Sequence, residues 1–325
     1  MTHPEEQAIT PGCRGDAIPD VSMVIPTRNR ADQLSRCLQY VRLIQSDRPW
    51  ELIIVDNGST DHTVDVVSEF ARNVPFQVRV VHEPVVGGAR TRNSGAKVAR
   101  GKILIFIDDD CYVRPDIVEQ YRKIFEDPTI GFAGGRILLH DRTDYPLTIN
   151  ESEVGIRFPA ARPVPCGTVQ GANMAMRRQA LQDAGGFDQR MGPGTRFPAE
   201  DWDVLTRIGI NGWAGGYFPG PTVSHHHGRK RPEARKRIRC YNIGSGSVYL
   251  KLLADARTRR IYLPHILRCI AGDMKFRQTK VAAQIYGAML FLWQNRHGLL
   301  EVTPNILDPP VHEPHPPEIG ADAPT

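Results

Sequence analysis

Residues 103–112 read ILIFIDDDCY, five apolar side chains running straight into Asp108, Asp109 and Asp110. Adjacent carboxylates repel one another and cost free energy unless a cation or hydrogen-bond donors sit among them. If extended backbone continues through the triplet, Asp108 and Asp110 project to one side and Asp109 to the other. A D-x-D pair in that geometry suits a hard divalent cation, which takes oxygen ligands and shares them with substrate phosphates. A solvated acidic turn is the plain alternative for an isolated triplet. A place at the end of a buried strand tips the reading toward a cation, because ligands of α/β sheets bind beyond the strand ends.

Two further clusters carry the same kind of chemistry. Glu200 and Asp201, with Asp203, stand in FPAEDWDVLTRI, where Leu205 and Ile208 have helical spacing. The dipole of a helix favours carboxylates in its first turn, which alone would explain them. The preceding MGPGTRFP, a glycine- and proline-rich loop of the sort that lines sites, points further. His225, His226 and His227 follow a β-like apolar run; on extended backbone His225 and His227 share a face. For this triplet, metal ligation and a surface role stand level. EPVVGGARTRNSG adds glycines that allow close backbone approach, with Arg90, Arg92 and Asn93 as donors for phosphate. There is no G-x-x-x-x-G-K-[ST], and no G-x-G-x-x-G follows the first apolar run, so P-loop and dinucleotide-dehydrogenase chemistry are set aside.

The elements that must position these groups are legible as alternation. VSMVI (21–25), ELIIV (51–55), QVRVV (77–81) and ILIFI (103–107) have strand length and β-branched enrichment. Leu34, Cys37, Leu38 and Val41 recur at helical spacing between the first two, and Val64, Val67 and Phe70 make a stripe after the second. Strands alternating with helices predict an α/β domain with a mostly parallel central sheet flanked by helices. Helices are expected near Arg177 and Glu200, and Val281, Ile285, Ala288, Met289 and Leu292 form an apolar stripe near the C-terminus. The expected organisation is an unstructured stretch over 1–17, a catalytic domain over 18–228, a basic helical extension over 229–302 and an unstructured proline-rich tail over 303–325. No apolar window is long enough for a membrane span, and the N-terminus lacks the basic start and apolar run of a secretory signal. Six cysteines without a C-x-x-C pair argue against a zinc ribbon or disulfide scaffold and fit a reducing, cytoplasmic setting.

Taken in order, VSMVIPTRNR, ELIIVDNGSTDHT, GGARTRNSG, ILIFIDDD, GANMAMRR, GGFDQRMG, AEDWDVLTRI and TVSHHH resemble the family 2 glycosyltransferases of the GT-A fold, over 18–228. The resemblance implies a nucleotide-sugar donor, a divalent metal (Mn²⁺ or Mg²⁺), and inversion at the anomeric carbon. By position, Pro26, Thr27 and Arg30 would line the nucleotide pocket, with Asp56 on the base edge and Arg92 close by. Asp108 would meet the ribose or a metal-bound water, Asp109 would stand with the donor-binding residues, and Asp110 would ligate the metal. Asp201 would be the catalytic base, with Glu200 as its neighbour in the E-D pair. His225 matches the downstream histidine that approaches the metal or diphosphate, and His227 is the alternative register. The implied partners are a UDP-sugar before other donors and a glycan or lipid-linked acceptor hydroxyl, in polysaccharide or glycoconjugate synthesis.

The run RKRPEARKRIR (229–239) holds seven basic residues in eleven. A solvated helix face is its plain reading. Contact with the donor diphosphate, or peripheral contact with an anionic membrane on its inner face, are the sharper ones. Without interleaved aromatics no nucleic acid is expected. Two rivals remain: a metal-dependent sugar nucleotidyltransferase, for which PTRNRADQ lacks the expected glycine-rich loop, and a non-catalytic nucleotide- or glycan-binding module. Acceptor recognition is expected in loops 141–165 and 191–198.

Overall fold

The computed structural model describes residues 5–8, 18–276 and 278–301. After β1 (Glu5–Ala8) come β2 (Val21–Thr27), α1 (Ala31–Val41), β3 (Trp50–Asp56), α2 (Thr63–Arg72), β4 (Gln77–His82), α3 (Gly88–Val98) and β5 (Ile103–Ile107). The second half holds β6 (Cys111–Val113), α4 (Ile117–Phe125), β7 (Ile130–Leu139), β8 (Ile156–Phe158), β9 (Asn173–Arg177), α5 (Arg178–Asp183), α6 (Glu200–Ile210) and β10 (Ala214–His225). Three long helices follow, α7 (Arg231–Ala254), α8 (Ala256–Phe276) and α9 (Gln278–Gln294). Among the described residues no helix is long and apolar enough to cross a membrane. Within the N-terminal stretch read as unstructured, Glu5–Ala8 pairs with β4; the rest of that stretch and the tail from 303 lie outside the described residues.

One sheet runs through the molecule in the order β1-β4-β3-β2-β5-β9-β7-β10-β6, with β8 paired to β10. β4, β3, β2 and β5 are parallel, as helix crossovers between strands require. Beyond β5 the sheet is mixed, because β9 enters antiparallel between β5 and β7. The parallel expectation holds through the half built from the four apolar runs and again where β10 lies parallel to β7, with β9 set antiparallel between the two. Those runs are apolar throughout because both faces are covered. In β5, Ile103, Ile105 and Ile107 face a core shared with α1, α2 and α4. Leu104 and Phe106 face a second core shared with α3, α5, α6 and the C-terminal helices.

Leu34, Cys37, Leu38 and Val41 of α1 are all buried, as their spacing predicts. In α2 the buried arc is Thr63, Val67, Phe70 and Ala71, which leaves Val64 at its rim and 45% exposed. A larger departure concerns α9. Val281 is buried, yet Ile285, Met289 and Leu292 of the same stripe point outward; Gln284 and Phe291 face in. The inner face is chosen by close backbone approach. A Cβ on Gly246 would lie 1.9 Å from the Gln284 carbonyl oxygen, and one on Gly287 2.1 Å from that of Ile243. Only glycine lets α7 and α9 touch there.

Candidate active site

The polar residues gather where β2, β3 and β5 end. β5 stops at Ile107, and the Cys111 N–H closes a turn onto the Asp108 carbonyl. Strand alternation therefore does not carry through the triplet, which corrects the expectation that Asp108 and Asp110 share a side. Asp109 and Asp110 are the buried pair, and they share Arg30. Its Nε lies 3.3 Å from Asp109 Oδ1 and its Nη2 2.7 Å from Asp110 Oδ2. The Thr27 hydroxyl donates to Asp109 at 2.8 Å. Burial pushes the Asp109 carboxyl up to about 7, Arg30 opposing and Asp110 assisting. Burial acts on Asp110 in the same direction, but its bond to His225 and the Arg30 charge outweigh it and hold that carboxyl well below the usual range.

His225 closes β10, between β6 and β7 in the sheet. Its Nε2 lies 3.2 Å from Asp110 Oδ1, and its Nδ1 lies 3.3 Å from the Thr148 carbonyl. A carbonyl cannot donate, so Nδ1 carries the proton, which leaves Nε2 aimed at Asp110. Burial lowers the His225 pKa, but Asp110 outweighs it and the net shift is upward. His227 is turned away: its Nδ1 accepts the Arg229 N–H at 2.9 Å and stands 3.8 Å from Asp144. Of the two histidine registers, the structure brings His225 to the triplet.

Ligand atoms of Asp110, Cys111 and His225 lie within 4.8 Å of one another. Burial drives the Cys111 thiol well up, so it stays protonated. The useful donors are then one carboxylate and one imidazole, a set that fits Mn²⁺ or Mg²⁺ completed by phosphate oxygens and water.

The Glu-Asp pair joins this end of the sheet through Arg92. That guanidinium, 4% exposed on α3, donates from Nη1 to Glu200 at 2.8 Å and from Nη2 to Asp108 at 2.9 Å. Glu200 opens α6, where Gly192 leaves room for it: φ there is +98°, and a Cβ would sit 2.9 Å from the Glu200 carboxyl carbon. Burial raises the Glu200 carboxyl to about 7 against the pull of Arg92. Asp201 is likewise raised by burial, opposed by the N–H groups of Trp202 and Gly171, which reach it at 2.7 and 2.9 Å. Asp203 is a different case. It bonds Arg207 and Lys251 and ties α6 to α7, so the structural reading of its charge holds.

Two cavities meet here. The larger, about 300 Å³, is lined by Pro26, Thr27, Arg30, the aspartate triplet and His225. The smaller, about 190 Å³, is lined by Glu200, Asp201 and Gly171. Arg92, Asp108, Thr148, Pro193, Arg237 and Tyr241 line both. Asp56 is buried beside this space without lining it, its carboxylate held by the Ser59 N–H and His82. Tyr241 carried no sequence signal, and Thr148 was covered only as part of the loop 141–165 expected at the acceptor. Thr148 lies in an irregular loop with φ +57°, and its side chain bonds Tyr241. Arg237 was visible only as one charge in a basic run.

A model of the family described as glycosyl transferase family 2 matches residues 22–185. The pre-mycofactocin glycosyltransferase of Mycobacterium tuberculosis is 31% identical over 215 residues, which is 64% of this chain and 43% of that protein. AglE of Haloferax volcanii is 22% identical over 259 residues, 75% of this chain and 78% of that one. The chain spans less than half the length of the first curated relatives it matches. Among solved structures, mannosyltransferase PcManGT from Pyrobaculum calidifontis, in complex with GDP-Man and Mn²⁺, aligns with a TM-score of 0.61 at 21% identity, over 87% of this chain and 77% of that one. S. aureus TarS 1–349 with UDP-GlcNAc aligns at 0.57 and 15% identity, over 82% and 79%.

Proposed function

The chain belongs to glycosyl transferase family 2 and carries the GT-A fold, and from that premise we propose that it moves a sugar from a nucleotide-sugar donor to an acceptor hydroxyl, with inversion and with a divalent cation. The observation that carries this reading is Arg92, one guanidinium bonded both to the triplet and to the Glu-Asp pair. Cation chemistry and base chemistry therefore border one cleft.

In this reading the larger cavity takes the nucleoside diphosphate, against Pro26, Thr27 and Arg30, with Asp108 and Asp109 beside it. Asp110 and His225 would hold Mn²⁺ or Mg²⁺, whose charge would offset that building on the departing diphosphate. Arg92 holds the Asp108 and Glu200 carboxyl groups in place. Asp201, held by two backbone N–H groups, takes the proton of the attacking alcohol. A single base on the far side of the sugar suits direct displacement, hence inversion. Donors bound by the structural neighbours carry guanosine and uridine, so UDP-sugars are tested first and GDP-sugars next. The acceptor would be a glycan or lipid-linked alcohol. The five cysteines among the described residues are all free, which suits a reducing, cytoplasmic setting.

The test pairs Asp201→Asn with Asp110→Ala. Asp201→Asn should keep donor binding in a thermal-shift titration yet lose about 10²–10⁴-fold in turnover. Asp110→Ala should lose the Mn²⁺-dependent part of donor binding. Turnover by Asp201→Asn at the wild-type rate would remove the base assignment.

A further inference from the structure

The outward face of α9 is apolar. Ile285, Tyr286, Met289, Leu292 and Trp293, spaced as one side of a helix, are between 45% and 67% exposed. α9 contains no aspartate or glutamate. Exposed apolar surface of this extent is uncommon on a protein that meets only water.

Its neighbour on α7 supplies charge. Gly246 lies against Gln284 and Gly287 against Ile243, so the two helices run antiparallel. Their register brings Leu292 and Trp293 alongside the first half of α7, where Arg235, Lys236 and Arg239 are exposed. The polarity extends over the whole segment. Residues 229–301 carry sixteen lysines and arginines against four aspartates and glutamates, whereas the rest of the chain is acidic, with twenty-five against thirty-two.

We propose that the α9 face and the basic half of α7 dock together on an anionic lipid bilayer, the apolar side chains entering the headgroup boundary and the cations meeting lipid phosphates. Aliphatic and aromatic residues beside clustered Lys and Arg are what such a surface recognises, and Trp and Tyr suit its depth. A second copy of this chain fits less well, because a self-complementary contact through this face would bring two basic stretches together. Arg237 and Tyr241 of α7 line both cavities, so docking sets that wall of the cleft beside the lipid. The inference stands on surface composition and does not depend on the donor chemistry.

The test is flotation of the full chain with vesicles of phosphatidylcholine alone or mixed equally with phosphatidylglycerol. The wild type should float with the mixed vesicles and far less with phosphatidylcholine. Arg235→Gln, Lys236→Gln and Arg239→Gln should each weaken binding about fivefold. Met289→Glu with Trp293→Glu should weaken it at least tenfold while thermal unfolding stays cooperative. Trp50 and Trp202 are buried and Trp213 is half-buried, so brominated acyl chains should quench emission in the wild type, and the part of that quenching due to Trp293 should vanish in Trp293→Phe. Wild-type protein that stays unbound to mixed vesicles overturns the proposal, as do variants that float like the wild type. So does a sedimentation profile in which Met289→Glu with Trp293→Glu splits a dimer without changing flotation, or vesicle binding gained only when 302–325 is deleted.

Discussion

Arg92→Met offers a test of the site's electrostatics in which the sign can be worked out beforehand. In the fold the Glu200 carboxyl titrates near 7, against 4.5 ordinarily. Between those values the folded chain holds a proton that the unfolded chain has lost. The stability contributed by that proton is therefore complete below about 4.5 and gone above 7. A shift of that size corresponds to about 3 kcal/mol. At pH 8 Glu200 is ionised, and removing Arg92 strands a buried charge, with a cost of about 3–5 kcal/mol. At pH 5 the fold keeps Glu200 neutral, and only the pair with the partly exposed Asp108 is lost, worth about 1 kcal/mol or less. Thermal unfolding of both proteins at both pH values reads the difference, because Asp109 contributes equally to each and cancels, while the buried Asp201, which Arg92 also stabilises as a carboxylate, adds in the same direction. At roughly 2–4 °C per kcal/mol for mid-sized domains, the variant should fall by roughly 6–20 °C at pH 8 and by a few degrees at pH 5. Equal losses at the two pH values, or none at pH 8, would refute this account of the Arg92–Glu200 pair.

Two other outcomes follow from the same geometry. Burial raises Asp201, and a base must be ionised, so kcat/KM should rise with pH along an acid limb above the ordinary aspartate value of about 3.9; a pH–rate profile with its limb at or below that value contradicts the assignment. Gly192→Ala forces a side chain onto φ +98° and against the Glu200 carboxyl, so it should destabilise by about 1–3 kcal/mol, whereas Gly212→Ala, also at φ +98° but with nothing within 4 Å of a Cβ, should cost less in the same melt.

The half of the sheet from β4 to β5 was legible because its strands are buried on both faces and read as unbroken apolar runs. The second half was not, since the way β9 inserts between β5 and β7 is a matter of long-range pairing that no local period records. The same limit applied at the site. The Asp108–Asp110 triplet was conspicuous by composition, but its partition followed from a turn at Ile107 rather than from strand alternation. The choice between His225 and His227 turned on where β10 ends. Thr148 and Tyr241 reach the cleft from a loop and a helix far apart in the chain, and neither type nor spacing singles them out. On α9 the stripe itself was visible, but its direction was set by Gly246 and Gly287, whose backbone contact decides which face is covered.

The central claim is that a cation and a lone carboxylate flank one sugar and exchange its anomeric bond in a single displacement. Proton NMR of the hexose first released from an α-linked UDP- or GDP-sugar, with water as acceptor and Mn²⁺ present, reads this directly. The account predicts that the β-anomer appears first, before mutarotation, and that Asp201→Asn releases almost none. An α-anomer as the initial product would contradict it.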